Sequence, residues 1–271
     1  MKLNPTKVIS VTSGKGGVGK THTSINLAIQ LTKLGKRVLV LDADLGLANV
    51  NVLLGFKPTK HIGEILSAKA SIKDVIVHHE AGIDIIPASS GVAELTKLTE
   101  EEQSNLILAF DALASSYDYL IVDTAAGIGD NVLYFNTAAE EILVIIDREP
   151  TSITDAYAVI KVLSKTAGVK AFSVIVNRCP VGNDGKAIFA QLANVTGKFL
   201  NVSLKFLGAI QDDSSVREAT IQQKPYSELY PSSRATIDIA QIAKRIDDRS
   251  AERTARGGMQ FFFKSLVDSI G

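Results

Sequence analysis

The feature that most constrains the fold is a glycine-rich run, GKGGVGKT, at residues 14–21. It follows a short apolar segment that begins at Val8, and it precedes a segment whose apolar residues have helical spacing. The run satisfies the pattern G-x-x-x-x-G-K-[ST], in which glycines let backbone N–H groups turn inward around phosphate oxygens. The helix that follows adds the positive end of its dipole. The chain is therefore expected to bind nucleotide phosphates between its first strand and its first helix.

Two lysines of this run are expected to act differently. Lys20 should bridge the β- and γ-phosphates, and the Thr21 hydroxyl should bind Mg²⁺. Lys15 is a second cation on a loop that Lys20 already serves, so we expect it to reach a neighbouring subunit's phosphates; a solvated lysine is the alternative. The residues predicted to bind the phosphates of ATP are Gly14, Lys15, Gly16, Gly17, Val18, Gly19, Lys20, Thr21 and His22, the last as a helix residue beside the site.

Short apolar runs rich in β-branched residues alternate with helical patterns along the chain. Nearly continuous apolar strands are typical of burial on both faces, and the alternation predicts a doubly wound, mainly parallel sheet flanked by helices. The runs begin at Val8, Arg37, Ile83, Tyr119, Ile142, Phe172 and Phe206. We therefore predict an α/β fold with a single domain at residues 1–248. Ligands of such sheets lie beyond the carboxyl ends of the strands.

Composition argues against several classes of protein. Lysine plus arginine and aspartate plus glutamate number 29 each, so there is no global basic field, and no direct nucleic-acid binding is expected. The single cysteine, Cys179, leaves too few thiolates for an iron–sulfur or zinc site within one chain. There is no signal-peptide pattern and no apolar run of the roughly 20 residues that a membrane span needs.

Acidic residues follow two of the predicted strands. Asp42 and Asp44 form a D-x-D pair after the second run, where both carboxylates can point toward one phosphate and metal centre. Ordinary helix-capping acids are the alternative. Asp123 ends another apolar run in the manner of a Walker B acid, which would hold Mg²⁺. The predicted metal-site residues are Thr21, Asp42 and Asp123.

The C-terminal segment, residues 249–271, combines a polar linker with an apolar tail. Met259, Phe262, Phe263, Leu266 and Ile270 share one helical face, which favours an amphipathic helix on a membrane surface. The alternative is that this helix packs against its own domain.

The run KGGVGKT resembles the deviant Walker A family, which includes MinD, ParA and the nitrogenase iron protein. The resemblance implies a slow ATPase that forms a face-to-face ATP-dependent homodimer. It implies that Lys15 contacts nucleotide across the dimer, that Asp42 belongs to the Mg²⁺ shell and that Asp44 orients the attacking water. The predicted catalytic residues are Lys15, Lys20 and Asp44.

The same family uses an Asn-Arg pair and a later acid around the adenine ring. Asn177, Arg178 and Asp213 match these positions. An amide and a carboxylate can read a base edge, and a guanidinium can stack on it. Gln211 stands where the family usually has proline.

Longer runs, among them DADLGLANVNVLLG, EPTSITDAYAVIK and YPSSRATIDIAQIAKRI, resemble the FlhG/FleN family of flagellar number regulators. The resemblance implies control of flagellar number, placement and gene expression from the cytoplasm and the inner face of the cell membrane. The implied partners are an FlhF-type signal-recognition GTPase, a σ54-dependent activator of the FleQ type, flagellar switch components and the membrane surface. A MinD-type division-site regulator and a ParA-type DNA-partition ATPase are the alternatives.

Overall fold

The computed structural model describes residues 6–46, 49–88, 97–113 and 116–249. They form one central β-sheet with helices on both faces. The strands are β1 (Lys7–Ser13), β2 (Val38–Ala43), β3 (Val77–His78), β4 (Asp84–Ile86), β5 (Tyr119–Ala126), β6 (Glu141–Ile146), β7 (Ala171–Cys179) and β8 (Ser203–Gln211). The helices are α1 (Lys20–Lys33), α2 (Val50–Leu53), α3 (Ile62–Leu66), α4 (Ile72–Val75), α5 (Glu100–Asp111), α6 (Asp130–Thr137), α7 (Pro150–Thr166), α8 (Lys186–Phe199), α9 (Ser214–Ile221), α10 (Tyr226–Leu229) and α11 (Arg234–Asp248).

The eight strands are hydrogen-bonded in the order β3-β4-β2-β5-β1-β6-β7-β8. All pairs are parallel except β3 with β4. Strands β1, β2 and β6 are buried along their whole length, because helices cover both faces of the sheet. The predicted doubly wound α/β fold is confirmed. The two-residue strand β3 was not predicted.

Three apolar clusters hold the helices to the sheet. Helices α1 and α11 pack on one face around Ile9 and Ile121, and α3, α5 and α6 pack on the other face around Phe110. Helices α7 and α8 cover β6 and β7 through the third cluster. The nucleotide loop thus begins at the end of β1, near the middle of a rigid sheet.

Glycine conformation sets both ends of α1. Gly19, the residue before the helix, has a φ of 95°. Gly35 follows the last turn with a φ of 81°, and the next N–H, that of Lys36, donates to the carbonyl of Leu31 at 3.2 Å. This is the geometry of a Schellman cap, which needs a left-handed residue at that position.

A cluster of charged residues lies at the N-terminal edge of the sheet, where the parallel strands begin. Glu141, at the start of β6, lies 2.9 Å from Lys7 Nζ and 3.1 Å from Arg249 Nη2, and it accepts a hydrogen bond from the Ser173 hydroxyl at 2.7 Å. Arg249 caps the end of α11. The ion pair joins the end of α11 to the start of β6, at the residue where the predicted linker begins.

The predicted membrane residues Met259, Phe262, Phe263, Leu266 and Ile270 lie outside the described residues. Among the helices that the structure describes, none has the length and apolar character needed to cross a bilayer.

Candidate nucleotide-binding site

The loop between β1 and α1 has the backbone geometry that its glycines permit. Gly17 and Gly19 have φ values of 77° and 95°, a region that side chains other than glycine rarely adopt. A Cβ atom at Gly14 would overlap the backbone of Asp155 in α7, and one at Gly19 would overlap the Asn177 amide. These glycines are therefore required by neighbouring parts of the fold as well as by the loop itself.

Lys20 and Thr21, at the start of α1, lie beside the end of β5. The Thr21 hydroxyl is hydrogen-bonded to the Asp123 carboxylate, which also accepts from the Ser24 hydroxyl at 2.9 Å. Burial lowers the pKa of Lys20, although the charges of Asp123 and Asp44 oppose this shift. The lysine, hydroxyl and carboxylates predicted from separate motifs therefore come together at one place.

Asp123 is fully buried, and burial raises its pKa to about 6 despite the hydrogen bonds from Thr21 and Ser24 and the charge of Lys20. Asp42 is its direct partner across β2 and β5. Burial, followed by the charge of Asp123, raises the pKa of Asp42 well above its ordinary value. Two neighbouring carboxylates thus carry more negative charge than their protein surroundings neutralise.

Asp42 also organises the loop that follows β2. Its two oxygens accept the backbone N–H groups of Asp44, Asn49 and Val50 at 3.2, 3.1 and 3.1 Å. Asp44 is only half-buried, and its carboxylate accepts a hydrogen bond from the Asn49 amide at 3.3 Å. Of the D-x-D pair, Asp42 is therefore the residue that shapes the loop, and Asp44 is the one that solvent can reach.

Lys15 points to the rim of the loop. Its Nζ pairs with the carboxylate of Glu149, the residue before α7, and lies 3.1 Å from the hydroxyl of Thr151, in the first turn of α7. The hydrogen bond to Glu149 raises the pKa of Lys15 and lowers that of Glu149. The Lys15 side chain is one-third exposed, so its charge is accessible from outside the protomer.

The Asn177-Arg178 pair contacts the phosphate loop. Asn177 Nδ2 donates to the carbonyl of Val18 at 2.7 Å, and the Arg178 guanidinium donates to that of Gly17. Arg178 Nη2 also lies 3.7 Å from the carboxylate of Asp147, which is buried. Stacking of Arg178 on adenine, as predicted, would require the guanidinium to leave Gly17 and Asp147.

Asp147 and Glu149 were not predicted as site residues. Asp147 follows β6 and accepts the backbone N–H of Glu149 at 3.0 Å, so it shapes the turn that holds Lys15. The sequence nevertheless indicated Asp147, because the apolar run from Ile142 ends in this acid just as the earlier runs end in Asp42 and Asp123.

Asp213 and His22 lie on the side of α9. Asp213 accepts the backbone N–H groups of Ser215 at 3.0 Å and Ala235 at 3.3 Å, so it caps α9 and meets the start of α11. Burial opposes its charge, but these hydrogen bonds hold its pKa below the ordinary value. The His22 ring lies 3.3 Å from the Thr220 hydroxyl, and burial lowers its pKa. His22 is therefore a contact between α1 and α9.

Comparison with known proteins places this geometry in a family. The family profile described as "AAA domain" matches residues 6–171. The chain is 43% identical to "Antiactivator FleN" of Pseudomonas aeruginosa, over 98% of this chain and 95% of the relative. It is 34% identical to "Flagellum site-determining protein YlxH" of Helicobacter pylori, over 98% of this chain and 91% of the relative. The chain belongs to the FlhG/FleN branch of the MinD/ParA-like ATPases.

The fold of this MinD/ParA-like chain is also close to a solved structure. A cell division ATPase MinD of Pyrococcus furiosus superposes with a TM-score of 0.75 and 24% sequence identity. The match covers 90% of this chain and 99% of that chain. The arrangement of the sheet around the phosphate loop is therefore that of a MinD.

The site of this FlhG/FleN chain fits a magnesium ion. The hydroxyl of Thr21 and the carboxylate of Asp123 are the oxygen ligands that Mg²⁺ prefers, and they already contact each other. The raised pKa values of Asp123 and Asp42 indicate a surplus of negative charge that a dication would relieve. Asp42 fits the outer part of such a site, because its oxygens already accept three backbone N–H groups.

Proposed function

We propose that this chain is an ATP-driven switch that controls flagellar number and placement and flagellar gene expression. ATP hydrolysis is the activity of the family to which it belongs. The finer steps of the proposal are dimerisation on ATP, reversible association with the membrane and release after hydrolysis. The flagellar context rests on the similarity to FleN and YlxH, which extends over nearly the whole chain.

In this proposal the phosphate loop binds and orients ATP. Its backbone N–H groups and the positive end of α1 hold the phosphate oxygens, and the Lys20 ammonium lies over the β- and γ-phosphates. Mg²⁺, when bound through Thr21 and Asp123, supplies positive charge that offsets the phosphates. Asp44 orients the attacking water, which agrees with its half-buried position at the mouth of the site. So sparse a set of groups favours slow turnover.

The position of Lys15 is the observation that best supports an ATP-dependent switch. The phosphate loop holds a cation at its rim, where Glu149 and Thr151 of the same chain bind it. An exposed ion pair of this kind is weak and can exchange partners at little cost. We propose that Lys15 leaves Glu149 when two protomers meet and then contacts the phosphates bound to the partner subunit.

For recognition of the base, Asn177, Arg178 and Asp213 remain the proposed adenine-binding residues. Because Arg178 donates to the carbonyl of Gly17, its movement onto the base would release the loop at that point. Binding of the base and arrangement of the phosphate loop would then be linked by one side chain.

The proposed partners are a second copy of the chain, an FlhF-type GTPase, a FleQ-type σ54-dependent activator and flagellar switch components. The proposed location is the cytoplasm and the inner face of the cell membrane. Residues 259–270, with the apolar face Met259, Phe262, Phe263, Leu266 and Ile270, are the proposed membrane helix. One such helix binds weakly, and two on a dimer gain from effective concentration.

A MinD-type division-site regulator is the second candidate, and the likeness in fold to a MinD motivates it. The two candidates are separated by deleting the gene and scoring cells for flagella and for septa. Altered number or position of flagella with normal septa supports the flagellar function. Misplaced septa with normal flagella would support the division function instead.

The switch is tested by size-exclusion chromatography with light scattering on the wild type and Asp44→Ala, with ATP and Mg²⁺ or with ADP. We expect a dimer only with ATP, and a longer-lived dimer for Asp44→Ala because hydrolysis is slowed. Lys15→Gln serves as the matched variant, which should bind ATP and remain a monomer. A protein that stays monomeric with ATP in all three forms would rule out the switch.

A further inference from the structure

Positive charge is concentrated in one stretch of the chain, although the protein as a whole is neutral. Residues 156–211 contain six lysines and one arginine against a single acid, Asp184. The formal net charge of the whole chain is zero. The remaining residues therefore carry an excess of six acids, although they contain both kinds of charge.

The topology places most of these lysines at one end of the molecule. Helices α7 and α8 each return from the nucleotide edge of the sheet to its N-terminal edge, where β7 and β8 begin side by side. Lys165 lies in the last turn of α7, and Lys198 lies in the last turn of α8. The carbonyl of Lys170, the residue before β7, accepts the backbone N–H of Ser203 at 2.7 Å.

These lysines are exposed and not neutralised. Within the part of the chain that the structure describes, no ion pair involves Lys161, Lys165, Lys170, Lys198 or Lys205. The neighbouring acid Glu141 is buried, and Lys7 and Arg249 already offset its charge. These five lysines therefore present to solvent a positive surface that no acid of the described residues pairs with.

Two apolar side chains on α8 are exposed close to these charges. Val195 is 38% exposed, and Phe199, one turn later, is 70% exposed. An exposed aromatic ring beside lysines is typical of a surface that enters the headgroup region of a bilayer, because the ring inserts while the ammonium groups remain at the phosphates. The exposed cations here are all lysines, whereas nucleic-acid surfaces usually include arginine forks.

The last described residue of the chain lies at the same end of the sheet. Arg249, the last described residue, pairs with Glu141 at the start of β6, and the Ser173 hydroxyl of β7 donates to the same carboxylate. The described part of the chain therefore ends at the same end of the sheet as the lysines. A bilayer that binds the C-terminal segment would meet this end of the folded domain first.

We propose that the basic end of the domain, defined as Lys161, Lys165, Lys170, Val195, Lys198, Phe199 and Lys205, contacts anionic lipid headgroups directly. The inference rests on the membrane association proposed above and adds a second contact to it. The apolar C-terminal helix supplies insertion, and the basic end supplies selectivity for anionic lipid. Each lysine near an anionic surface increases binding by about fivefold at moderate salt.

The test is co-sedimentation of the full chain, with ATP and Mg²⁺, on two kinds of vesicle. One is pure phosphatidylcholine, and the other contains equal parts of phosphatidylcholine and phosphatidylglycerol. The test variant is Lys165→Gln/Lys198→Gln. The matched control is Lys69→Gln/Lys73→Gln, which removes the same charge from two exposed positions, one between α3 and α4 and one in α4.

We expect the wild type and the control to bind anionic vesicles more tightly than neutral ones, and the test variant to lose about 25-fold on anionic vesicles alone. High salt should reduce the difference, because it screens exposed charges. Phe199→Ser should weaken binding to both kinds of vesicle if the ring inserts.

Three results would overturn the inference. If wild type and test variant bind both kinds of vesicle equally, the basic end makes no contact although membrane association stands. If the wild type binds no vesicle, both proposals fail. If Lys165→Gln/Lys198→Gln loses retention of double-stranded DNA while vesicle binding is unchanged, the surface belongs to nucleic acid.

Discussion

Asp123 and Glu141 are buried carboxylates at opposite edges of the same sheet, and their surroundings differ in charge. Asp123, at the nucleotide edge, has Thr21 and Ser24 hydroxyls and one lysine nearby, and its pKa is raised to about 6 by burial. Burial also opposes the charge of Glu141, but Lys7, Ser173 and Arg249 outweigh it, and the pKa of Glu141 is lowered. The charge of Asp123 is only partly offset by its protein surroundings, whereas the charge of Glu141 is fully offset.

The first prediction is that Asp123, at the nucleotide edge, is needed for ATP hydrolysis but not for stability. Asp123→Asn should reduce ATP hydrolysis on the order of 100-fold, because it removes a charge from the proposed magnesium and phosphate centre. The folded state should be no less stable without nucleotide, since the change removes a buried carboxylate that is poorly compensated. Steady-state phosphate release and urea unfolding measure the two effects. A marked loss of stability would show that the two edges do not differ in this way.

The second prediction is that Glu141, at the other edge, is needed for stability but not for ATP hydrolysis. Glu141→Gln should destabilise the fold by about 3 kcal/mol, because Lys7 and Arg249 would lose the buried partner of their charge. ATP hydrolysis below the melting temperature should change by less than twofold, as Glu141 lies at the far end of the strands. Urea unfolding with an ATPase assay at low temperature tests both statements, and a large loss of activity in the folded variant would contradict the second.

The third prediction concerns pH. Since the pKa of Glu141 is lowered in the folded state, the unfolded chain binds the proton more readily, and the stabilising effect is present above the unfolded pKa of about 4.3. It is lost as pH falls through the folded pKa. The stability difference between wild type and Glu141→Gln should therefore be constant from neutral pH to about pH 5 and shrink below it. A difference that stays the same at low pH would mean that charge is not the cause.

The smallest expected effect lies at the rim of the nucleotide edge. Glu149→Gln removes the charge that holds Lys15, so the dimer should form at an ATP concentration about two- to fivefold lower. Light scattering across an ATP titration measures this shift. Thr151→Val, which removes only the weaker contact to Lys15, is the control and should shift the midpoint less. An unchanged midpoint in Glu149→Gln would leave Lys15 without a role in setting the threshold.

Local signals explain why much of the fold could be predicted from the sequence. The apolar runs of β1, β2, β5, β6 and β7 are long and buried on both faces, so their composition alone marks them. The strand β3 has two residues, neither of them buried, and only its pairing with β4 defines it. A segment so short has no period from which it could be predicted.

In the candidate site too, some positions could be predicted from the sequence and others could not. Gly14 to Thr21 form one contiguous motif, so their positions follow from local backbone geometry. The contacts of Arg178 with Gly17 and of Lys15 with Glu149 join residues more than a hundred positions apart. No spacing rule relates such residues, and the contacts arise only after β6 and β7 take their places beside β1. Assigned ligand roles, which need a bound nucleotide, stay predictions.

The close approach of Gly14 to α7 has a mechanical consequence. There is no room for even a methyl group between this glycine and the backbone of Asp155, so a displacement of the phosphate loop toward α7 would push directly on the helix. Helix α7 has 17 residues and is about 25 Å long. It behaves as a stiff rod with one end against the nucleotide and the other near Lys165. Such a displacement of the phosphate loop would therefore also move the far end of α7, near Lys165.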